Sequence, residues 1–244
     1  MNILDKIINS KKEGKKQIAV LIDPDKLNTD ELVNLISKIA TSHINYIFVG
    51  GSLLSSDQMD KYINLIKQNI DIPVIIFPGN VHQISNKADG ILFLSLISGR
   101  NPEFLIGSQV VAAPLLKKSN LEILSTGYVL VDSGVQTTAS YISNTTPLPR
   151  NKADIAVATA LASEMIGHKL LYLDGGSGAK LEVPREMISA VKKHINIPLF
   201  VGGGINTKEK LETAFNSGAD LVVIGTAIEK NQDFLNDIIE VLNS

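Results

Sequence analysis

Apolar residues gather along this chain into eight short, nearly unbroken runs, at positions 18–23 (IAVLID), 46–51 (YIFVGG), 73–79 (PVIIFPG), 90–95 (GILFLS), 127–132 (GYVLVD), 169–176 (KLLYLDGG), 197–204 (IPLFVGGG) and 219–226 (ADLVVIGT). A strand with one wet face alternates apolar and polar residues, whereas an uninterrupted run marks a strand buried on both faces, as in a parallel sheet. Helical patterns lie between several of the runs. After the first, Asn28 and Glu31 have the spacing of an N-cap and its reciprocal partner, and Leu32, Leu35, Ile36 and Ile39 then share one helical face. After the seventh, Asn206 and Glu209 repeat that spacing ahead of Leu211 and Ala214. Eight strand–helix units within 244 residues predict an α/β fold, a single (β/α)8 barrel domain spanning 1–244.

Two connections exceed the minimal unit, 96–126 and 133–154. The second, SGVQTTASYISNTTPLPRNKAD, is rich in Thr, Ser, Pro and Asn and weakly periodic, and reads either as plain elaboration or as a cover over a site.

Barrel chemistry collects at the C-terminal ends of the strands. The residues closing the runs are Asp23, Gly50 to Ser52, Pro78 with Gly79, Ser95, Asp132, Asp174 with its glycines, Gly202 to Gly204, and Gly225 with Thr226. Glycine clusters after strands seven and eight leave backbone amides where a helix begins, which suits a phosphate. The segment YLDGGSGA after strand six adds more amides beside an acid. Asp23 and Asp25, in LIDPDK, read either as a turn or as part of a Mg²⁺ site with the Ser52 hydroxyl, since Mg²⁺ takes one or two protein oxygens and leaves the rest to water and phosphate.

Composition narrows the field further. A net charge of -2 without a dense cationic cluster offers no footprint for nucleic acid. The chain has no cysteine, hence neither disulfides nor a thiolate metal site, and its start lacks the order of a secretory signal, so the cytoplasm is expected. No apolar run approaches the roughly 20 residues of a membrane-spanning helix. His43, His82, His168 and His194 show no metal spacing, and none closes a strand, which disfavours a Ser-His-Asp nucleophile. Phe77, Leu94, Leu96, Ile97, Phe104 and Tyr141 line an apolar groove or belong to the core; Arg100 and Lys26 are solvated charges or partners for an anion.

Taken together, LIDPDK, FVGGS, FPGN, SLISGRNPEFLIGSQV, TTASYISNTTPLPRNK, YLDGGSGA, VGGGI and IGTAIE resemble the geranylgeranylglyceryl phosphate synthase family, over nearly the whole chain and in the family's order. The longer inserts resemble its second group, found in archaea and some bacteria and related to heptaprenylglyceryl phosphate synthase. The resemblance implies a (β/α)8 prenyltransferase that moves a polyprenyl group, geranylgeranyl first among them, from its diphosphate to the 3-hydroxyl of sn-glycerol 1-phosphate with Mg²⁺. It also implies a homo-oligomer, with at most transient contact with a membrane surface. By position, Asp23 and Ser52 match the family's magnesium residues. Tyr172, Leu173, Asp174, Gly175, Gly176, Ser177 and Gly178, with Gly203, Gly204, Gly225 and Thr226, match its glycerol-phosphate site. Asp174, where relatives commonly carry Glu, is the expected base or orienting group for the alcohol. Two other readings use the same loops: another phosphate-binding barrel enzyme, such as a sugar-phosphate isomerase or synthase, and a non-catalytic binder of phosphorylated ligands.

Overall fold

The structure, a computed structural model, describes residues 2–51 and 59–243. Eight parallel strands close into a barrel in sequence order: β1 (Gln17–Ile22), β2 (Tyr46–Gly50), β3 (Val74–Phe77), β4 (Gly90–Leu96), β5 (Glu122–Leu130), β6 (Leu170–Asp174), β7 (Leu199–Gly202) and β8 (Leu221–Ile224). Each expected strand is present, and β5 starts well before its apolar run, at Glu122. The runs are continuous because alternate residues serve two different cores. Phe48, Leu92, Leu124 and Phe200 fill the barrel, while Ile47, Ile91, Val129 and Val201 pack outward under the helices.

Around the barrel lie α1 (Ile3–Lys12), α2 (Thr29–Ile39), α3 (Met59–Asn69), α4 (Ser108–Lys117), α5 (Thr138–Ser143), α6 (Ala153–Ile166), α7 (Arg185–Lys192), α8 (Lys208–Asn216), α9 (Thr226–Lys230) and α10 (Phe234–Asn243). The expectation of eight strand–helix units fails at one place, because residues 78–89, between β3 and β4, form turns without a helix. Local side-chain bonds occupy the backbone there: Asn80 accepts from the His82 amide at 2.8 Å and Ser85 from the Lys87 amide at 3.2 Å. Such bonds compete with helix formation. With no helix there, the outward side of β4 borders a groove toward α4, although Ile76 and Ile91 stay buried.

The helix caps are half as expected. On α2 the Asn28 side chain accepts from the Glu31 amide at 3.0 Å and the Glu31 carboxylate from the Asn28 amide at 2.9 Å. On α8 the cap is Thr207 instead of Asn206, with its hydroxyl accepting from the Lys210 amide at 3.3 Å. Asn206 stands one residue earlier, in the wall of the barrel mouth.

The N-terminal end of the barrel is sealed. Ile3 and Ile7 of α1 plug it, and the free amides of Ile3 and Leu4 donate to the Glu122 carboxylate at 2.6 and 2.8 Å. A helix start buried without such acceptors would be costly. The long connections lie at the other end. A π-helical turn, Glu103–Gly107, leads into α4, and the 133–154 loop is pinned by a bridge between Leu148 and Val131.

Candidate active site

Two joined cavities open at the C-terminal end. The first is a polar mouth walled by Asp23 and Lys26 after β1, Asp174 to Ala179 after β6 without Gly175, Gly203 to Asn206 after β7, and Gly225 to Ala227 with Glu229 after β8. The second is an apolar groove between β3, β4 and α4, walled by Pro78, Ile84, Phe93, Phe104, Ala112 and Leu116. It occupies the side that the missing helix leaves open. Gly51, Phe77, Tyr128 and Ala139 line both, so these four residues mark the junction.

Asp174 is the buried acid of the mouth, 5% exposed. Its Oδ1 accepts from the Gly176 amide at 2.8 Å and its Oδ2 from the Tyr128 hydroxyl at 2.5 Å. Burial holds the Asp174 carboxyl above its ordinary pKa, against the Tyr128 and Gly176 hydrogen bonds, which favour the ionised form. Burial, and after it the Asp174 charge, pushes the phenols of Tyr128 and Tyr172 well above the usual range, so both stay protonated at neutral pH.

The backbone around Asp174 requires glycine. Gly203 has φ +80°, and a β-carbon there would lie 2.6 Å from the Gly175 nitrogen and 2.8 Å from Asp174 Oδ1. The loop after β7 therefore packs against the loop after β6, and only a residue without a side chain permits the approach. On the far side, β8 passes into α9 through Gly225 with no side chain capping the helix. The first amides of a helix are orphan donors. Anion binding by backbone amides is what this end of the barrel can offer.

Asp23 sits in the same mouth. Lys26 lies 3.4 Å from its Oδ2 and 3.2 Å from Glu229 Oε2. Burial raises the Glu229 pKa, an effect that Lys26 opposes. Among the described residues no group of three His, Cys, Asp or Glu side chains gathers to cage a metal ion. One partly exposed carboxylate in a glycine-walled mouth is nevertheless the kind of donor Mg²⁺ uses when water and substrate complete its shell. Asp23 fits that role, while its expected partner Ser52 lies outside the described residues.

Of the residues expected at the glycerol-phosphate site, Tyr172, Asp174, Gly176, Ser177, Gly178, Gly203, Gly204, Gly225 and Thr226 line the mouth together. Leu173 does not: its side chain points outward and packs in the helix layer. Gly175 stands behind the wall, against Gly203. Of the six groove candidates, Phe77, Leu94, Leu96 and Phe104 line the groove, whereas Ile97 packs beneath the helices and Tyr141 is 71% exposed. Arg100 lies outside the mouth, donating to the Gly99 carbonyl at 2.9 Å.

The sequence reading missed Tyr128, Glu229, Thr138 and Arg150. Thr138 and its neighbour Ala139 bring α5 into the wall, which makes the 133–154 loop part of the site. Arg150 ties that loop down by donating to the carbonyls of Asp132 at 3.0 Å and Glu182 at 2.7 Å. The tyrosine in GYVLVD was the available signal for Tyr128, since a buried phenol needs a partner.

Comparison with known proteins follows the same lines. A family model described as the PcrB family matches residues 10–242. The chain is 52% identical over 234 residues to geranylgeranylglyceryl phosphate synthase of Flavobacterium johnsoniae, covering 96% of each chain. It is 47% identical over 242 residues to the protein of that name in Chitinophaga pinensis, covering 99% of this chain and 96% of that one. Among solved structures it resembles (S)-3-O-geranylgeranylglyceryl phosphate synthase of Thermoplasma acidophilum in complex with sn-glycerol-1-phosphate, with TM-score 0.93, 32% identity, and 99% and 98% of the two chains covered.

Proposed function

The chain belongs to the PcrB family, and on that premise we propose that it joins the 3-hydroxyl of sn-glycerol 1-phosphate to a polyprenyl group, geranylgeranyl first among them. The observation that carries this reading is the union of a glycine-walled polar mouth with an apolar groove at a junction whose Tyr128 donates to the buried Asp174 of the mouth. A small phosphorylated alcohol matches the first, a long hydrocarbon the second. The relatives' name, and the ligand of the Thermoplasma acidophilum protein, support the same pair of substrates.

The loops after β6, β7 and β8 would hold the glycerol phosphate through backbone amides. That fixes its free hydroxyl near Asp174. The oxygen–C1 bond forms as the bond from C1 to the diphosphate breaks, and the hydroxyl proton passes to the Asp174 carboxylate. A base whose pKa burial has raised is better matched to neutral pH than an exposed aspartate. The tail lies in the groove, which excludes water from an allylic centre that water would otherwise capture. Mg²⁺ held by Asp23, with Ser52 as the second residue the resemblance implies, would neutralise the charge that develops on the leaving diphosphate.

A homo-oligomer fits the same reading. Val110 and Leu115 on α4, and Met165 and Ile166 on α6, expose large apolar surfaces, which in soluble proteins mark contact sites. Light scattering would report the assembly. The function itself is tested by incubating the protein with sn-glycerol 1-phosphate and a series of polyprenyl diphosphates, with products read by mass spectrometry. An ether product with stoichiometric diphosphate is expected; its absence with every chain length overturns the reading.

A further inference from the structure

Asp174 has both carboxylate oxygens engaged, which raises the question of how it serves a substrate. Its Oδ1 is fixed by the Gly176 amide, in its own loop, and its Oδ2 by Tyr128, which comes from the neighbouring strand β5. Each oxygen of an ionised carboxylate has two acceptor sites, so one on each remains. The two bonds therefore leave acceptor capacity intact while removing the freedom of the carboxylate to turn.

Tyr128 is itself immobilised. Its ring stands edge-on to Tyr172, with centroids 5.4 Å apart at 84°, and to Phe77, at 6.0 Å and 64°. Tyr128, Tyr172 and Phe77 all line the mouth, and Tyr128 and Phe77 line the groove as well. The phenol thus stands where the alcohol and the allylic carbon must meet. Its own pKa is pushed up, so it remains a donor at neutral pH.

We propose that Tyr128 is a positioning residue for the transfer reaction, holding the Asp174 carboxylate in one orientation toward the glycerol hydroxyl. This rests on the reading of Asp174 as the proton acceptor. The donor also acts on its charge state. Among the described residues, those facing Asp174 are Tyr128 on β5, Tyr172 on β6 and the Gly176 amide. Asp23, Asp25 and Lys26 after β1, and Glu229 and Lys230 on α9, share the mouth. Of the groups that shift the Asp174 pKa, burial acts upward while the Tyr128 phenol and the Gly176 amide act downward. Without the phenol the base stays protonated to a higher pH.

The experiment is a double-mutant cycle with Tyr128→Phe and Asp174→Asn, using steady-state kinetics with sn-glycerol 1-phosphate varied across a pH series and circular dichroism to verify folding. Tyr128→Phe is expected to lower kcat roughly 10- to 100-fold, as for loss of a hydrogen bond to a charged group. The KM for glycerol phosphate stays within about threefold, and the acidic limb of kcat moves to higher pH. In the Asp174→Asn background the same change costs little, because a residue acting through another loses its effect with it. Replacing Tyr128 by 3-fluorotyrosine, a stronger donor of nearly unchanged shape, should move the limb to lower pH and serves where the Phe variant does not fold. An unmoved limb, or an equal loss in both backgrounds while Asp174→Asn is itself impaired, overturns the positioning role alone. Wild-type turnover in Asp174→Asn overturns the base reading, and this proposal with it.

Discussion

Lys26 and Asp23 form an ion pair across the lip of the polar mouth, 3.4 Å from ammonium nitrogen to Oδ2, and the same ammonium reaches Glu229 at 3.2 Å. Burial lowers the Lys26 pKa, but Glu229 and then Asp23 outweigh it and hold the group above its ordinary value. A resident cation thus neutralises the carboxylate proposed to hold Mg²⁺.

Lys26→Met should therefore tighten binding of free Mn²⁺, a spectroscopic stand-in for Mg²⁺, by a few-fold, the size of a partly exposed pair worth about 0.2–1 kcal/mol. The KM for polyprenyl diphosphate should rise, since an anionic ligand loses a cation in the mouth. Paramagnetic resonance of Mn²⁺ titrated into substrate-free protein checks the first effect and kinetics the second. Asp23→Asn should abolish the Mn²⁺ gain.

Gly203→Ala should damage both stability and glycerol-phosphate binding. The new β-carbon meets backbone and the Asp174 carboxylate, none of it the far end of a flexible side chain, and φ is +80°. The left-handed backbone alone costs ~1–2 kcal/mol for a residue with a β-carbon. At the ~2–4 °C per kcal/mol typical of a domain this size, a fall of several degrees in Tm is expected. Gly178→Ala is the comparison: φ is +78°, but open space surrounds the position. It should share the backbone cost and spare the Asp174 geometry, so its kcat should exceed that of Gly203→Ala. Calorimetry with kinetics separates the two.

These sites differ in how far the sequence announced them. The eight strands were legible because burial on both faces writes a continuous apolar run, and the ring of Asp and Gly at their ends follows from barrel geometry. The absent helix between β3 and β4 was not, since Asn80 and Ser85 act through local bonds that periodicity does not register. That gap creates the groove. Leu173 is included as part of the segment that the resemblance implies, yet alternate strand residues face opposite layers, so Tyr172 and Asp174 point into the barrel and Leu173 away. Tyr128 on β5 and Glu229 on α9 are distant in sequence from their partners, and only closure of the barrel brings them to Asp174 and Lys26.

Ala112 on α4 offers a test of the groove. It lines the apolar cavity beside Leu116 and is nearly buried. Ala112→Phe fills space there, so the KM for geranylgeranyl diphosphate should rise about tenfold or more while that for a shorter prenyl diphosphate changes little; a methylene in an apolar pocket is worth roughly 1–3 kcal/mol. Competition between long and short donors, with products read by mass spectrometry, gives the ratio directly. An unchanged ratio would place the tail elsewhere.

Asp174 should cost the protein stability in return for its chemistry. Burial raises its pKa in the folded state above the ordinary carboxylate value, which is about 4 in an unfolded chain. Between those two values the folded state binds more protons than the unfolded state, so the stability contributed by this group is fully present below the unfolded pKa and is lost as pH rises through the folded one. At neutral pH the wild type carries that loss to the extent that the carboxyl is ionised. Asp174→Asn does not titrate, and its amide can still accept from Gly176 and donate to the Tyr128 oxygen. The variant should therefore melt higher than the wild type at pH 7, with the difference vanishing as pH falls below about 4, while its turnover drops by the 10²- to 10⁴-fold typical of a lost general base. Thermal melts of both proteins over a pH series provide the check. A variant less stable than the wild type at neutral pH would mean that the ionised carboxylate gains more from Tyr128 and Gly176 than it loses on leaving water.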